Sequence, residues 1–398
     1  MRTISAVQVF LFGVLASTAA QGTDTYTQDE STKSFLSWFK DMGALAQGVT
    51  VGESADMGRG IFATKSVVQD DLVLSVPLTM CMCRKTALQD KSKRVRKAYN
   101  ALRDDEDLVA LFILREKAKG SNSRFEPYLS VLPKRVPLTM FFSDSELKAL
   151  QSPKRVSEAK KRERQLKKRF KNVQPQLGAL FKDIPEDKKL NKFEHYAWAV
   201  AIVGSRALSM MGTKYLVPFA DMFNYAPHHE ERAANNGAEF LRYHKVQNGK
   251  FNVYADRACR AGAQLVEDYG DNSNTLYINH HGFVVEENPF DCVDVQMPQV
   301  SREERMRHKL ASRMKMNARR AHCLTPGQPL SKEVNDHMKM LAFPEDWVEK
   351  CLQVLGNDKA KPVPRSGYNA CFEDLDDNVL ARARRLFIDT LKSALKAY

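Results

Sequence analysis

Two stretches with the short, turn-broken texture of β-strands, Thr50 to Met82 and residues 215–270, are separated by residues 84–211, whose apolar spacing is helical. This order restricts the fold more than any other feature, because the two strand blocks must come together as one domain split in sequence. In the first block Val51, Gly58-Arg59-Gly60-Ile61-Phe62-Ala63, Leu72-Val73-Leu74 and Val76-Pro77 read as strands broken by Gly, Asp and Pro. In the second, Asn248-Gly249 stands between GAEFLRYHKV and KFNVYADR and is the dipeptide preferred for a tight type I′ hairpin. Tyr215-Leu216-Val217 and Gln264-Leu265-Val266 are two further apolar runs.

The helical parts show a period near 3.6. Residues 32–44 space Phe35, Leu36, Trp38, Phe39 and Met42 on a helix that stops near Gly43. Within the insertion, Leu108, Leu111, Phe112 and Leu114 form one apolar face. Leu166, Phe170, Val173, Leu177 and Leu180 form another under a strongly basic exterior. After Pro289 the chain turns helical to its end, with Val379, Leu380, Ala383, Leu386, Phe387, Leu391 and Leu395 along one side of the last helix. The expected class is α+β: a domain at 34–290 with a helical insertion at 84–211, then an all-α domain at 291–398.

At 398 residues, with 43% hydrophobic and 27% charged residues, the chain can bury a core in each part. Its net charge of +13 is concentrated at 84–97, 154–171 and 301–320. Aromatics are not interleaved with these charges, so solvated helix faces are expected and nucleic acid is not an expected partner. Arg2, the apolar stretch Ala6 to Ala16 and the small residues Ser17-Thr18-Ala19-Ala20 read as a signal peptide over residues 1–20. They predict entry into the secretory pathway and a monomer without a membrane span. A two-part plastid leader is the alternative, disfavoured because QGTDTYTQDEST is acidic. The seven cysteines are scattered, lack zinc-site spacing and read as small buried apolar residues, with Cys81 and Cys83 alternating along a strand. That is mildly at odds with a secreted chain, where a disulfide framework is usual.

Three stretches can carry chemistry, and none decides alone. Asp56-Met57-Gly58-Arg59-Gly60 is a glycine turn between strands, neither a P-loop nor a dinucleotide fingerprint. Pro218-Phe219-Ala220-Asp221-Met222-Phe223-Asn224-Tyr225 is apolar except at Asp221 and Asn224, whose plain reading is an Asx turn. Glu267-Asp268-Tyr269-Gly270-Asp271-Asn272-Ser273-Asn274 is followed by Asn279-His280-His281-Gly282-Phe283. Adjacent histidines on a helix diverge by about 100°, so the pair is not expected to bind metal. There is no G-x-S-x-G elbow and no H-E-x-x-H.

Together, the succession GRGIFAT, PYLSVLP, Ser205-Arg206, PFADMFN, DYGDNSN and HGFVVEENPFD resembles the SET-domain methyltransferases of the Rubisco large-subunit subclass, and FLSWFKDMGA is similar to their entry helix. The resemblance runs from about 35 to 295; residues 296–398 resemble that family's helical substrate-binding domain only in position and texture.

The resemblance implies a SET-domain β-fold and an S-adenosyl-L-methionine-dependent protein-lysine methyltransferase, with protein-histidine methylation or a silent binding module as alternatives. It implies cofactor contacts from Met57, Gly58 and Arg59, from Ser205 and Arg206 at the methionine end, and from Asn224 with Asp221 positioning the turn. Tyr269 is the implied catalytic residue beside the methyl group. Two positions depart from the family pattern: Tyr225 stands where many members have His, and His281 where many have Tyr. Both fall in the implied cofactor site. The C-terminal domain is implied to dock the protein substrate. In-line transfer needs alignment and a neutral amine rather than a metal. Neutralising a lysine of pKa ~10.4 at pH 7 costs roughly 4–5 kcal/mol.

Overall fold

The structure is a computed structural model. It describes residues 26–396 except 56–57, 211, 226–243, 268, 271, 287, 302, 317–320, 326, 328, 357–364 and 374. The leader-like residues 1–20 and Met57 lie outside the described residues. The chain forms two compact units, one of the residues up to Ser145 with Glu158–Asn288, the other of Glu146–Ser157 with Pro289 onward.

In chain order the elements begin α1 (Glu30–Asp41), β1 (Leu45–Ala46), β2 (Val49–Ser54), β3 (Gly58–Ala63) and β4 (Leu72–Pro77). The insertion supplies α2 (Arg84–Ala87), α3 (Lys93–Asn100), α4 (Asp105–Ala118), α5 (Glu126–Val131), α6 (Asp144–Ala149), α7 (Pro153–Leu180) and α8 (Phe193–Arg206). Then come β5 (Leu208–Met210), β6 (Thr213–Tyr215), β7 (Asn224–Tyr225), β8 (His244–Gln247), β9 (Lys250–Tyr254), β10 (Gln264–Glu267) and α9 (Asn274–His280).

The two strand blocks do meet. β4 pairs antiparallel with β9, and β3 with β10, so each four-stranded sheet draws from both blocks, in the orders β1-β4-β9-β8 and β2-β3-β10-β7. β8 and β9 are joined through Asn248 (φ 51°) and Gly249 (φ 71°), two consecutive left-handed residues as a type I′ turn requires. The parallel pair β7–β10 sets Asn224 opposite Val266 and Tyr225 opposite Glu267. That register carries the end of PFADMFN to the strand leading into Tyr269.

The insertion differs from its periodicity in one respect. Leu108, Leu111, Phe112 and Leu114 are buried, but so is every residue from Leu108 to Glu116. α4 runs through the core and packs on α8, the helix that ends in Ser205-Arg206. Buried Arg115 is tolerated there because Asp183 and Asp90 stand 2.8 and 3.3 Å away. Hydrogen bonds from Arg115 hold the Asp183 carboxyl down at about 2.

On α7 the five apolar positions are buried, while Lys160, Lys161, Arg164, Lys167, Lys168 and Lys171 are exposed. Exposed charges on one helix act on a partner mainly through a field screened within ~8 Å at physiological salt. Replacing Lys160, Lys161, Lys168 and Lys171 with Gln is therefore expected to leave activity within about two-fold. A larger loss that fades as salt is raised would assign the face to electrostatic steering.

The second unit contains β11 (Val293–Gln296), α10 (Arg305–Arg313), β12 (Ala321–Leu324), α11 (Lys332–Ala342), α12 (Glu345–Leu355), α13 (Arg365–Ala370) and α14 (Asp377–Lys396). It is helical as expected, with an added antiparallel ribbon in which Val293 faces Leu324 and Gln296 faces Ala321. Its core gathers Val295, Leu310, Val334, Met338, Phe343, Val348 and Val379, with Leu386, Phe387 and Leu391 of α14 packed against it.

Two cysteine readings need correction. Cys81 and Cys83 are buried thiols but do not lie in a strand: Cys81 closes a 3₁₀ turn, Cys83 precedes α2, and only Met82 between them bridges to Leu216. Cys292 is not a buried apolar stand-in but is disulfide-bonded.

Candidate functional site

Where β3, β7 and β10 meet, a cleft of about 370 Å³ opens. Gly58, Arg59, Ser205, Arg206, Asp221, Asn224, Tyr225, Tyr269 and His281 all line it. They reach it from five stretches of the sequence, 58–59, 205–206, 221–225, 269 and 281. Met57 is outside the described residues.

The glycine turn works through backbone. Gly58 opens β3 at φ 67°, a conformation side chains rarely adopt. Gly60 has a different reason. A Cβ there would stand 2.5 Å from Gln264 Oε1 and 2.8 Å from Asn224 Nδ2, whose amide donates to Arg59 O (3.1 Å) and to Gln264 Oε1 (2.7 Å). Asn224 thus ties β3 to β10 at the floor of the cleft. Gly60→Ala should push the Gln264 and Asn224 amides aside, break this tie and destabilise the protein by about 1–3 kcal/mol, read as a clear fall in thermal midpoint. An unchanged melt would contradict the close packing.

The Asp221 segment is more than an Asx turn. Phe219, fully buried, adopts φ 74°. That is costly for a bulky residue and is held by Phe39 and Phe35, at 4.9 and 6.0 Å between ring centroids. The twist delivers Asp221 into the interior beneath Arg206. Arg206 Nη1 donates to Asp221 O (2.8 Å) and lies 3.5 Å from its Oδ2, which also accepts from Tyr128 Oη at 2.9 Å. Burial pushes the Asp221 carboxyl above its usual range, opposed by the Arg206 charge and the Tyr128 hydrogen bond. Its Oδ1 is buried without a partner among the described residues, as is Arg59 Nε. Arg59 otherwise donates to Val131 O and lies 3.9 Å from Asp29.

Tyr269 donates to Phe223 O at 2.6 Å, and burial pushes its phenol well above the ordinary value, so it stays protonated. Ser205 turns its hydroxyl back to Ala201 O (2.8 Å), leaving its carbonyl to meet His281 Nδ1 at 3.3 Å. Tyr225 and His281, the two departures, flank Tyr269 with ring centroids 5.5 and 4.9 Å away. Where the family pattern has His and Tyr, this chain has Tyr and His, and both rings contact Tyr269. Phe283 and Tyr277 complete the aromatic wall, at 5.7 and 4.8 Å from Tyr225. Sequence reading missed Tyr128 and Gln264, which orient Asp221 and Asn224; PYLSVLP was noted, but nothing local marks its tyrosine as a partner of Asp221. The ring nitrogens of His280 lie 3.3–3.5 Å from the Arg162 guanidinium. Among the described residues there is no group of three or more His, Cys, Asp or Glu placed to hold a metal.

No family model matches the chain. It is similar to the actin-histidine N-methyltransferase of Drosophila melanogaster, 24% identical over 300 residues that cover 69% of this chain and 52% of that protein. The Homo sapiens protein of the same name is 24% identical over 285 residues, covering 68% and 45%. Protein SET DOMAIN GROUP 40 of Arabidopsis thaliana is 26% identical over 308 residues, covering 68% and 62%. The chain spans about half the length of the curated relatives it matches. Among solved structures, Rubisco LSMT bound to AdoMet superposes with a TM-score of 0.72 at 17% identity, covering 93% of this chain and 82% of that one. The SET domain of LSMT bound to lysine and AdoHcy superposes at 0.74 with the same identity and coverage. The chain has the SET-domain fold of these structures.

Proposed function

We propose that this SET-fold chain is an S-adenosyl-L-methionine-dependent protein methyltransferase whose acceptor is a lysine amine. The observation that carries the reading is the cleft in which Gly58-Arg59, Ser205-Arg206, Asn224 and Tyr269 converge.

The residues suit the cofactor. Asp221 Oδ1 and Arg59 Nε are buried polar atoms without a partner among the described residues, as expected beside a polar ligand. Arg206 spends only Nη1 on Asp221 in the contacts above, so its remaining donors suit a carboxylate. Backbone at Gly58, Arg59, Asn224 and Tyr225 would receive the rest of the molecule. When bound, the cofactor supplies an electrophilic methyl group on a positively charged sulfur.

The chain's own part is alignment. Tyr269 donates its proton to Phe223 O, which leaves its oxygen lone pairs to orient an incoming N–H. The aromatic wall excludes water and lowers the pKa of an entering amine. A second reading, methylation of a histidine ring, is favoured by the names of the relatives in Drosophila and human. Calorimetric titration with S-adenosylmethionine should show one saturable site per chain; no heat of binding would overturn the reading.

Within the same proposal, the second unit docks the protein substrate. The secretory pathway is the proposed compartment: the Cys292 disulfide suits an oxidising environment, and Ala6 to Ala16 is apolar except at Gln8. Among the described residues no helix is long and apolar enough to cross a membrane.

A further inference from the structure

His281 lines the cleft, its ring 4.9 Å from that of Tyr269, and its Nδ1 lies 3.3 Å from the Ser205 carbonyl oxygen. A carbonyl oxygen can only accept, so the proton in this contact sits on Nδ1. In the neutral imidazole that leaves Nε2, at the far side of the ring, as a proton acceptor. We propose that His281 Nε2 takes the proton that the acceptor nitrogen must lose for methyl transfer. This inference rests on the methyltransferase reading above.

The step balances. An ammonium gives one N–H proton to Nε2, and the imidazole becomes imidazolium. The amine lone pair then forms the N–C bond while the C–S bond breaks with its electrons left on sulfur. The imidazolium returns its proton to water.

The other titratable groups around the ring do not compete. Asp221 is engaged by Arg206 and Tyr128. Tyr269 donates to Phe223 O and Tyr277 to Gly270 O, both at 2.6 Å. Glu53 lines the cleft but is exposed, and Arg59, Arg135 and Arg206 are cations. His280, next in the chain, is occupied by Arg162. Burial lowers the His281 imidazole below its usual value, opposed by the Ser205 hydrogen bond. The sign is favourable: a base with a lowered pKa is unprotonated at neutral pH, and its acid limb falls below about 6.5.

The test is His281→Gln, and His281→Asn as a second variant whose amide can still donate to Ser205. Labelled-methyl transfer is measured from about pH 6 to about pH 10, with calorimetric cofactor affinity alongside. Both variants should keep cofactor affinity within about three-fold and lose about 10²-fold in kcat at pH 7. The gap should narrow as alkali deprotonates the acceptor itself, and added imidazole should restore part of the rate. Wild-type rates, or a uniform loss at every pH without rescue by imidazole, would overturn the role. A wild-type protein that binds no cofactor and transfers no methyl group would instead overturn the methyltransferase reading.

Discussion

Tyr269→Phe should lower methyl transfer by about 10²–10³-fold while cofactor affinity stays within about three-fold. The phenylalanine ring keeps the stacking against His281 and Tyr225, so the aromatic wall remains. What is lost is the hydroxyl, with its 2.6 Å bond to Phe223 O and its place in the cleft. One hydrogen bond contributes about 1 kcal/mol to stability, too little to explain such a loss through unfolding. A variant with normal turnover would remove Tyr269 from the chemistry. One that fails to bind cofactor would make it a packing residue.

Arg206→Ala should combine two large effects. The cofactor loses the guanidinium proposed to meet its carboxylate, at a cost of about 2 kcal/mol or more, roughly thirty-fold in affinity. The Asp221 side chain, fully buried, loses its cation, and breaking such a pair costs about 3 kcal/mol of stability. Tyr128 softens that loss, and protonation of Asp221 softens it further as pH falls, because its carboxyl already sits above the usual range. The variant should therefore melt lower than wild type, with the deficit greatest above the carboxyl's folded-state value. Arg206→Ala with unchanged affinity and unchanged melt would reduce Arg206 to an ordinary surface charge.

Local chemistry made much of this fold readable. Asn248-Gly249 fixes its hairpin because two left-handed residues in a row suit few other dipeptides. The apolar stripe of α7 is legible because a surface helix has one face to bury. The spacing of Leu108, Leu111, Phe112 and Leu114 marks only one face of α4, yet Arg115 is buried as well, by virtue of Asp90 and Asp183, distant in sequence. The β11–β12 ribbon and the Cys292 disulfide went unseen for the same reason: strand pairing and cysteine partners are set by tertiary approach, not by periodicity.

The cleft follows the same division. Tyr269, Asn224 and Arg206 stand out as motif residues. The strained Phe219, the Tyr128–Asp221 bond and the Asn224–Gln264 tie emerge only when α1, α5 and the strands β3, β7 and β10 come together. His281 read as a departure from a pattern. Its contact with Ser205, across 76 residues of sequence, turns the departure into a testable base.

The most direct test of the account is methyl transfer itself. The purified protein, beside Tyr269→Phe as the matched control, is incubated with methyl-labelled S-adenosylmethionine and a lysate of the parent organism, and the labelled residue is identified by mass spectrometry. The account predicts label on a lysine amine of a protein, present with wild type and nearly absent with the variant. Label on histidine would keep the enzyme and change its acceptor. No incorporation, from a protein shown to be folded, would contradict the central claim.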